Sequence, residues 1–441
     1  MSRTKLLLPA LLLAPALAAA TPAMPTLLAP RERPAVENRI LESRLETLLP
    51  ALMAETDLDM WLVLSREYAE DPVYFTLVPQ PSFAARRTTL LVFHRKPDGT
   101  VERLAVNRYP LGAPYSAAWA GGDLDEQWQA LGKLIAERDP KRIGVNTSRD
   151  WAIADGLSQG LRERLLAVLP EGFGERLVSA EDLVVRWTET RSADELPHHA
   201  QAMAVARAVV AEAFSNQVIT PGKTTTDDVS WYIRNRFEAM GLPVWFHPDV
   251  NRQRAGDECG RDSTFCGSEG LIERGDVLHT DVGVCYLKLC TDTQEMGYVL
   301  REGEAEVPES LRAALATGNR WQDLLTGNFV AGRSGDAILA ATRAAAEAEG
   351  IPSSTYSHPL GFFGHAAGPT IGMWDDQDGG TPGGEWPLHP RTAYAIEGNV
   401  RAPVQGWGDT WVQVKLEQGG YFDGETLTYP AGRQTEWHVV R

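Results

Sequence analysis

Aspartate is depleted in β-strands, where its charge lies on a pleated, half-buried surface. The chain nevertheless carries Asp281 in the alternating, β-branched run Val277–Val284, and Asp292 in the following run Leu287–Val299. Two later strand-like runs, Ala393–Glu397 and Trp411–Glu417, end in the carboxylates Glu397 and Glu417. Between the pairs lies a glycine-rich segment with two imidazoles, Ser357-His358-Pro359-Leu360-Gly361-Phe362-Phe363-Gly364-His365. Each acid alone reads as part of a solvated strand face, and each histidine alone as structural. Together they read as a cation site, because carboxylates brought close cannot all stay ionised without a counter-charge. Oxygen-rich ligation with one imidazole suits Mn²⁺ best, with Zn²⁺, Co²⁺ or Fe²⁺ as substitutes, rather than a thiolate site. Four carboxylates overcompensate one divalent ion. Two ions about 3.5–4 Å apart, bridged by carboxylates and a hydroxide, balance the charge and activate water.

Positioning such a set requires a β-hairpin for the aspartates, followed by two further strands for the glutamates. Ahead of the hairpin, Ser192 and Glu195 have capping-box spacing, and Met203, Ala206, Val210 and Ala213 recur at helical intervals. A second helix follows, capped by Thr225 or Thr226, with Val229, Ile233, Phe237 and Met240 as its apolar stripe. Gly222-Lys223-Thr224, helix, Gly241-Leu242-Pro243 is echoed by Gly332-Arg333-Ser334, helix, Gly350-Ile351-Pro352. That repeat predicts two similar αβ halves with a site between them. Upstream, a helical pattern at Val36–Leu52 and apolar runs at Met60–Leu64, Thr88–Phe93 and Arg142–Val145 predict a smaller α/β domain. No catalytic constellation is visible in it. The expected division is a signal peptide at 1–20, a mobile Pro-rich lead at 21–34, an α/β domain at 35–189 and a catalytic domain at 190–441.

The signal peptide is read from Arg3 and Lys5, the apolar Leu6–Leu17 and the cleavable Ala18-Ala19-Ala20. Export to a periplasmic or extracellular space permits disulfides. Cys259, Cys266, Cys285 and Cys290 allow three pairings; two local staples, Cys259–Cys266 and Cys285–Cys290, are expected. The chain has 441 residues and a net charge of −17, or −19 without Arg3 and Lys5. Such a chain repels phosphate backbones, so nucleic acid is excluded as a partner, and no later stretch is apolar enough to span a membrane.

The order Asp, Asp, His, Glu, Glu, with ten residues between the aspartates, resembles the "pita-bread" metallopeptidases of family M24. These include the Xaa-Pro aminopeptidases and prolidases, and the non-peptidase creatinase. The resemblance covers roughly 190–441 and implies an α+β fold: a pita-bread catalytic domain with pseudo-twofold halves, behind a creatinase-like α/β N-terminal domain. It implies a peptide substrate and a homodimer in which the N-terminal domain helps to build the partner's site. Carried over residue by residue, Asp281 resembles a bidentate ligand of one metal, Asp292 and Glu417 bridging ligands, His358 the imidazole ligand, and Glu397 a terminal ligand and general base. In the family a Gly-His-Gly-x-Gly segment carries the ligand histidine, and a second histidine follows seven residues later. His358 and His365 have that spacing, although Ser357 and Pro359 replace the flanking glycines. This makes His365 the group that binds the substrate carbonyl and the developing oxyanion. The rival register makes His365 the ligand and puts Gly372 in the second position. A further family histidine, seventeen or eighteen residues before the first aspartate, is replaced by Ser263 and Thr264; His247 is the candidate substitute. The activity implied is hydrolysis of N-terminal Xaa-Pro bonds. Its competitors are a prolidase-type dipeptidase, a non-peptide C–N hydrolase, and a binding module that has lost catalysis.

Overall fold

The computed structural model describes residues 23–441, so the segment read as a signal peptide lies outside the described residues. The Pro-rich lead, expected to be mobile, is fastened where it is described. Met24, Leu27 and Leu28 pack on an apolar core of the second domain, and the Leu28 amide donates to the Tyr286 hydroxyl at 3.1 Å.

The first domain runs α1 (Arg33–Ser43), a π-helical turn (Arg44–Leu48), α2 (Leu49–Glu55), β1 (Met60–Arg66), α3 (Tyr74–Leu77), β2 (Thr88–Arg95), β3 (Val101–Asn107) and β4 (Ser116–Ala117). It continues through α4 (Leu124–Arg138), β5 (Ile143–Val145), α5 (Gln159–Val168), β6 (Leu177–Ser179) and α6 (Glu181–Glu189). Its sheet has the order β4-β3-β2-β1-β5-β6, with β1, β5 and β6 parallel. The continuous apolar runs arise because both faces are covered. Trp61, Val63, Leu91 and Phe93 enter one core, and Met60, Leu62, Leu90 and Val92 enter the other.

The second domain contains α7 (Leu196–Ala213), α8 (Thr226–Ala239), β7 (Asp249–Gln253), β8 (Val277–Val282), β9 (Cys285–Tyr286), β10 (Leu289–Cys290) and β11 (Thr293–Val299). Then follow α9 (Glu309–Thr326), α10 (Gly335–Ala348), β12 (Ser353–Thr355), β13 (His358–Leu360), β14 (Thr392–Pro403), β15 (Trp411–Phe422), β16 (Leu427–Thr428) and β17 (His438–Val440). The repeat seen in sequence is realised. An 18-residue helix precedes a 14-residue helix in each half, and Thr225 and Ser334 cap the shorter ones. The main path of the sheet, β12-β14-β15-β11-β8-β7, places three strands from each half about its centre.

The capping box expected at Ser192/Glu195 does not form. The Ser192 amide donates to Glu195 Oε2 at 2.6 Å, but α7 begins only at Leu196. The Glu195 carboxylate is committed instead to two buried arginines, Arg44 and Arg191.

Alternation along the strands separates core from site. Leu278, Val282 and Val299 turn toward α7 and α8, and Ile396, Val400, Val414 and Leu416 toward α9 and α10. Asp281, Glu397 and Glu417 lie at the opposite phase, on the face away from the helices.

Candidate metal centre

Strand register brings the acids together. Asp281 on β8 pairs with Gln294 on β11, Gln294 pairs with Glu417 on β15, and Glu417 pairs with Glu397 on β14. Asp292 lies two residues before Gln294 and so shares its face. His358 on β13 pairs with Ala395, two residues from Glu397. The hairpin tip that aims Asp292 is stapled by Cys285–Cys290, and the second disulfide is Cys259–Cys266.

The His358 Nδ1 faces the Pro359 carbonyl at 3.1 Å, which fixes the proton there and leaves the Nε2 lone pair free. That lone pair points at Glu397 Oε2 (3.5 Å), Asp292 Oδ2 (3.7 Å) and Glu417 Oε1 (3.7 Å). Four acceptors facing one another repel unless a cation lies among them. Among the described residues, Asp281 Oδ1, Asp292 Oδ1, Glu417 Oε1 and His358 Nε2 are buried without a hydrogen-bond partner, which is costly for polar atoms that nothing else satisfies. Donor atoms of His358, Glu397 and Glu417 lie within 4.8 Å of one another, as do those of Asp281, Asp292 and Glu417. The donor set therefore fits divalent cations.

The electrostatics agree. Burial pushes Asp281, Asp292 and Glu417 well above the carboxylate range, and neighbouring carboxylates add to the effect. Burial raises Glu397 to about 8 and pulls His358 down to about 4. Without cations the cluster resists full ionisation.

His365 stands at the edge. Its ring is largely exposed, lies 4.7 Å from the His358 ring, and reaches only Asp292 among the acids, at 3.8 Å. Trp245 lies at 4.9 Å from it and donates to the Thr291 carbonyl at 2.9 Å. The indole is wedged against Gly283 and Gly364, where a Cβ would fall 2.1 Å from it. His247 is not brought to the acids; its ring lies 4.9 Å from Trp231, and its Nδ1 is 3.5 Å from Arg234. The loop carrying Ser263 and Thr264 is tied to the sheet by Arg401 and Gln413. Its Phe265 covers the ammonium of Lys415 at 3.7 Å. Lys415 is buried, and that burial lowers it to about 7 although Asp249 and Asp281 face it. Gln294, His279, Lys415 and Trp245 border the site without having stood out in the sequence. Gln294, His279 and Lys415 gain meaning only once the strand register is known, and Trp245 only once the loops are placed.

The profile of metallopeptidase family M24 matches residues 198–421. Among solved structures, the chain is similar to an X-Pro aminopeptidase from Thermotoga maritima, with a TM-score of 0.62 and 17% identity over 88% of this chain and 100% of that one. It is also similar to an Xaa-Pro dipeptidase from Bacillus anthracis, at 0.60 and 16% over 92% and 100%. The N-terminal domain of the FACT complex subunit SPT16 from chickpea shares the fold at 0.56 and 11%, over 91% and 99%. No curated protein matches. With the family profile covering more than half of the chain, it belongs to metallopeptidase family M24.

Proposed function

We propose that the protein is a dinuclear-metal-dependent exopeptidase that hydrolyses N-terminal Xaa-Pro bonds. The observation that carries this is the convergence of Asp292, His358, Glu397 and Glu417 on one space, with Asp281 beside them. Asp281, Asp292, His358, Glu397 and Glu417 would hold two divalent cations, Mn²⁺ by donor type. When bound, they supply charge compensation and an activated water. Glu397, ionised when cations offset the cluster's charge, takes the proton of the attacking water and returns it to the leaving amine. His365, close to the acids yet open to solvent, donates to the oxygen on which charge develops. The preference for proline rests on the X-Pro aminopeptidase and Xaa-Pro dipeptidase among the structural neighbours. Export is supported by the two disulfides. A homodimer remains part of this reading through the family alone.

The test is a panel of Xaa-Pro dipeptides, longer Xaa-Pro peptides and creatine-like compounds with Mn²⁺-loaded protein. Release of the residue before proline from longer peptides is the expected result. Cleavage of dipeptides alone would make the protein a prolidase, and cleavage of the creatine-like compounds alone a C–N hydrolase. Ser263 and Thr264 in place of the family's further histidine motivate testing a binding module too; failure to bind Mn²⁺ would support that reading.

A further inference from the structure

Gln294 occupies the middle of the acidic row, opposite Asp281 on one side and Glu417 on the other, and is buried. Its side-chain nitrogen donates to Glu397 Oε1 and to Glu417 Oε2, the latter at 3.1 Å. Its carbonyl oxygen lies 2.9 Å from His279 Nε2. Carboxylates kept ionised by bound cations only accept, so the NH₂ end faces them and the oxygen faces the imidazole. His279 therefore carries its proton on Nε2. Its Nδ1 accepts from Asn251 Nδ2 at 3.0 Å, and the same amide donates to Asp249 Oδ2 at 3.0 Å. Donors run one way, from Asn251 through His279 and Gln294 to the two glutamates.

The consequence lies in which oxygens are taken. Gln294 engages Glu397 Oε1 and Glu417 Oε2. Left over are Glu397 Oε2 and Glu417 Oε1, the two atoms 3.5 and 3.7 Å from His358 Nε2. Among the described residues, Glu417 Oε1 has no hydrogen-bond partner. An amide that fixes one oxygen of each carboxylate fixes the direction of the other, while a second lone pair on the engaged oxygen stays available.

We propose that Gln294, oriented by His279 and Asn251, is a positioning residue that aims Glu397 and Glu417 at the cation site and so sets cation affinity; this rests on the metal-site reading above. The experiment is calorimetric titration of the metal-stripped full chain with Mn²⁺, with circular dichroism as the folding control. Gln294→Met and Gln294→Ser are compared with His279→Phe and with the double variant His279→Phe/Gln294→Met. Loss of such an outer partner typically costs about 10–100-fold in metal affinity, and that range is expected for both Gln294 variants. His279→Phe is expected to lose less, and the double variant to match Gln294→Met, because His279 acts through Gln294. Wild-type affinity in either folded Gln294 variant would overturn the proposal and leave the metal site standing. Multiplying losses in the double variant would overturn the relay. A wild-type chain that binds no Mn²⁺ would overturn the metal-site reading itself.

Discussion

His358 and His365 lie seven residues apart and have nearly touching rings, yet their surroundings assign them different work. His358 is buried with its free lone pair toward three carboxylates, whereas His365 is open and meets one. His358→Ala is expected to weaken Mn²⁺ binding, measured on the metal-stripped protein. His365→Ala is expected to keep cation stoichiometry and lower kcat by about 10²–10³-fold, the usual effect of losing an oxyanion donor. The reverse pattern would exchange the two histidines. The four carboxylate candidates were legible in sequence because charge on an apolar strand is anomalous whatever the partner strand is, and His358 through its seven-residue spacing to His365 in a glycine-rich segment. Gln294 and His279 were not, since an uncharged polar residue in a strand is unremarkable until register shows it between two glutamates. The missing family histidine also illustrates this limit. Ser263 and Thr264 could be counted back from Asp281, but only coordinates show that Phe265 and Lys415 flank that position.

At the scale of elements, the hairpin and the repeated helix pair could be read from period and punctuation, whereas the contacts that brace them could not. The hairpin turns through Leu287 and Lys288 at φ 51° and 64°, a left-handed pair usually given to Asn or Gly. Lys288 Nζ reaches across to the Phe75 carbonyl of α3 at 2.7 Å, so the tip is held by the first domain as well as by its disulfide. From the other side, His199 of α7 donates to the Cys290 carbonyl at 2.9 Å, and the Cys290 amide donates to Gly361 of the histidine loop at 2.7 Å. Burial, and then the nearby Arg191 charge, lower His199 to about 4. An unfolded histidine titrates near 6.5. The unfolded chain therefore takes up this proton first as pH falls, and stability present above pH 6.5 is lost between there and pH 4. For a fully buried group the limit is roughly 3 kcal/mol. His199→Gln keeps a donor for Cys290 without titrating. Urea unfolding across this range should show the wild type falling relative to the variant as pH drops. Parallel curves would mean that His199 does not carry this dependence.

For the whole molecule, the decisive feature is the buried charge cluster where the domains join, which composition and periodicity gave no reason to expect. Arg44, in the π-helical turn of the first domain, donates to the Thr190 carbonyl at 2.8 Å and to Glu195 Oε2 at 2.7 Å. Arg191 reaches the other oxygen of Glu195 at 3.1 Å. Burial alone would raise Glu195, but Arg191 and Arg44, with hydrogen bonds from Ser192, outweigh it and hold the carboxyl below its usual range. Both guanidinium groups also face Phe362, at 4.8 and 4.9 Å from its ring, in the loop that ends at His365. One carboxylate thus serves two buried cations, and those cations brace the loop that carries Phe362 and His365 from the side of the first domain. Removing one partner from a buried ion cluster is far worse than never having built it, because the remaining charges stay desolvated. Glu195→Gln preserves shape and removes the charge, so denaturant unfolding is expected to show a loss of roughly 3–5 kcal/mol. Arg44→Met is expected to cost less, since it leaves Glu195 paired with Arg191. If Glu195→Gln unfolded at the wild-type denaturant midpoint, the domain junction would owe its stability to apolar packing instead, and the Phe362 loop would need no ionic brace.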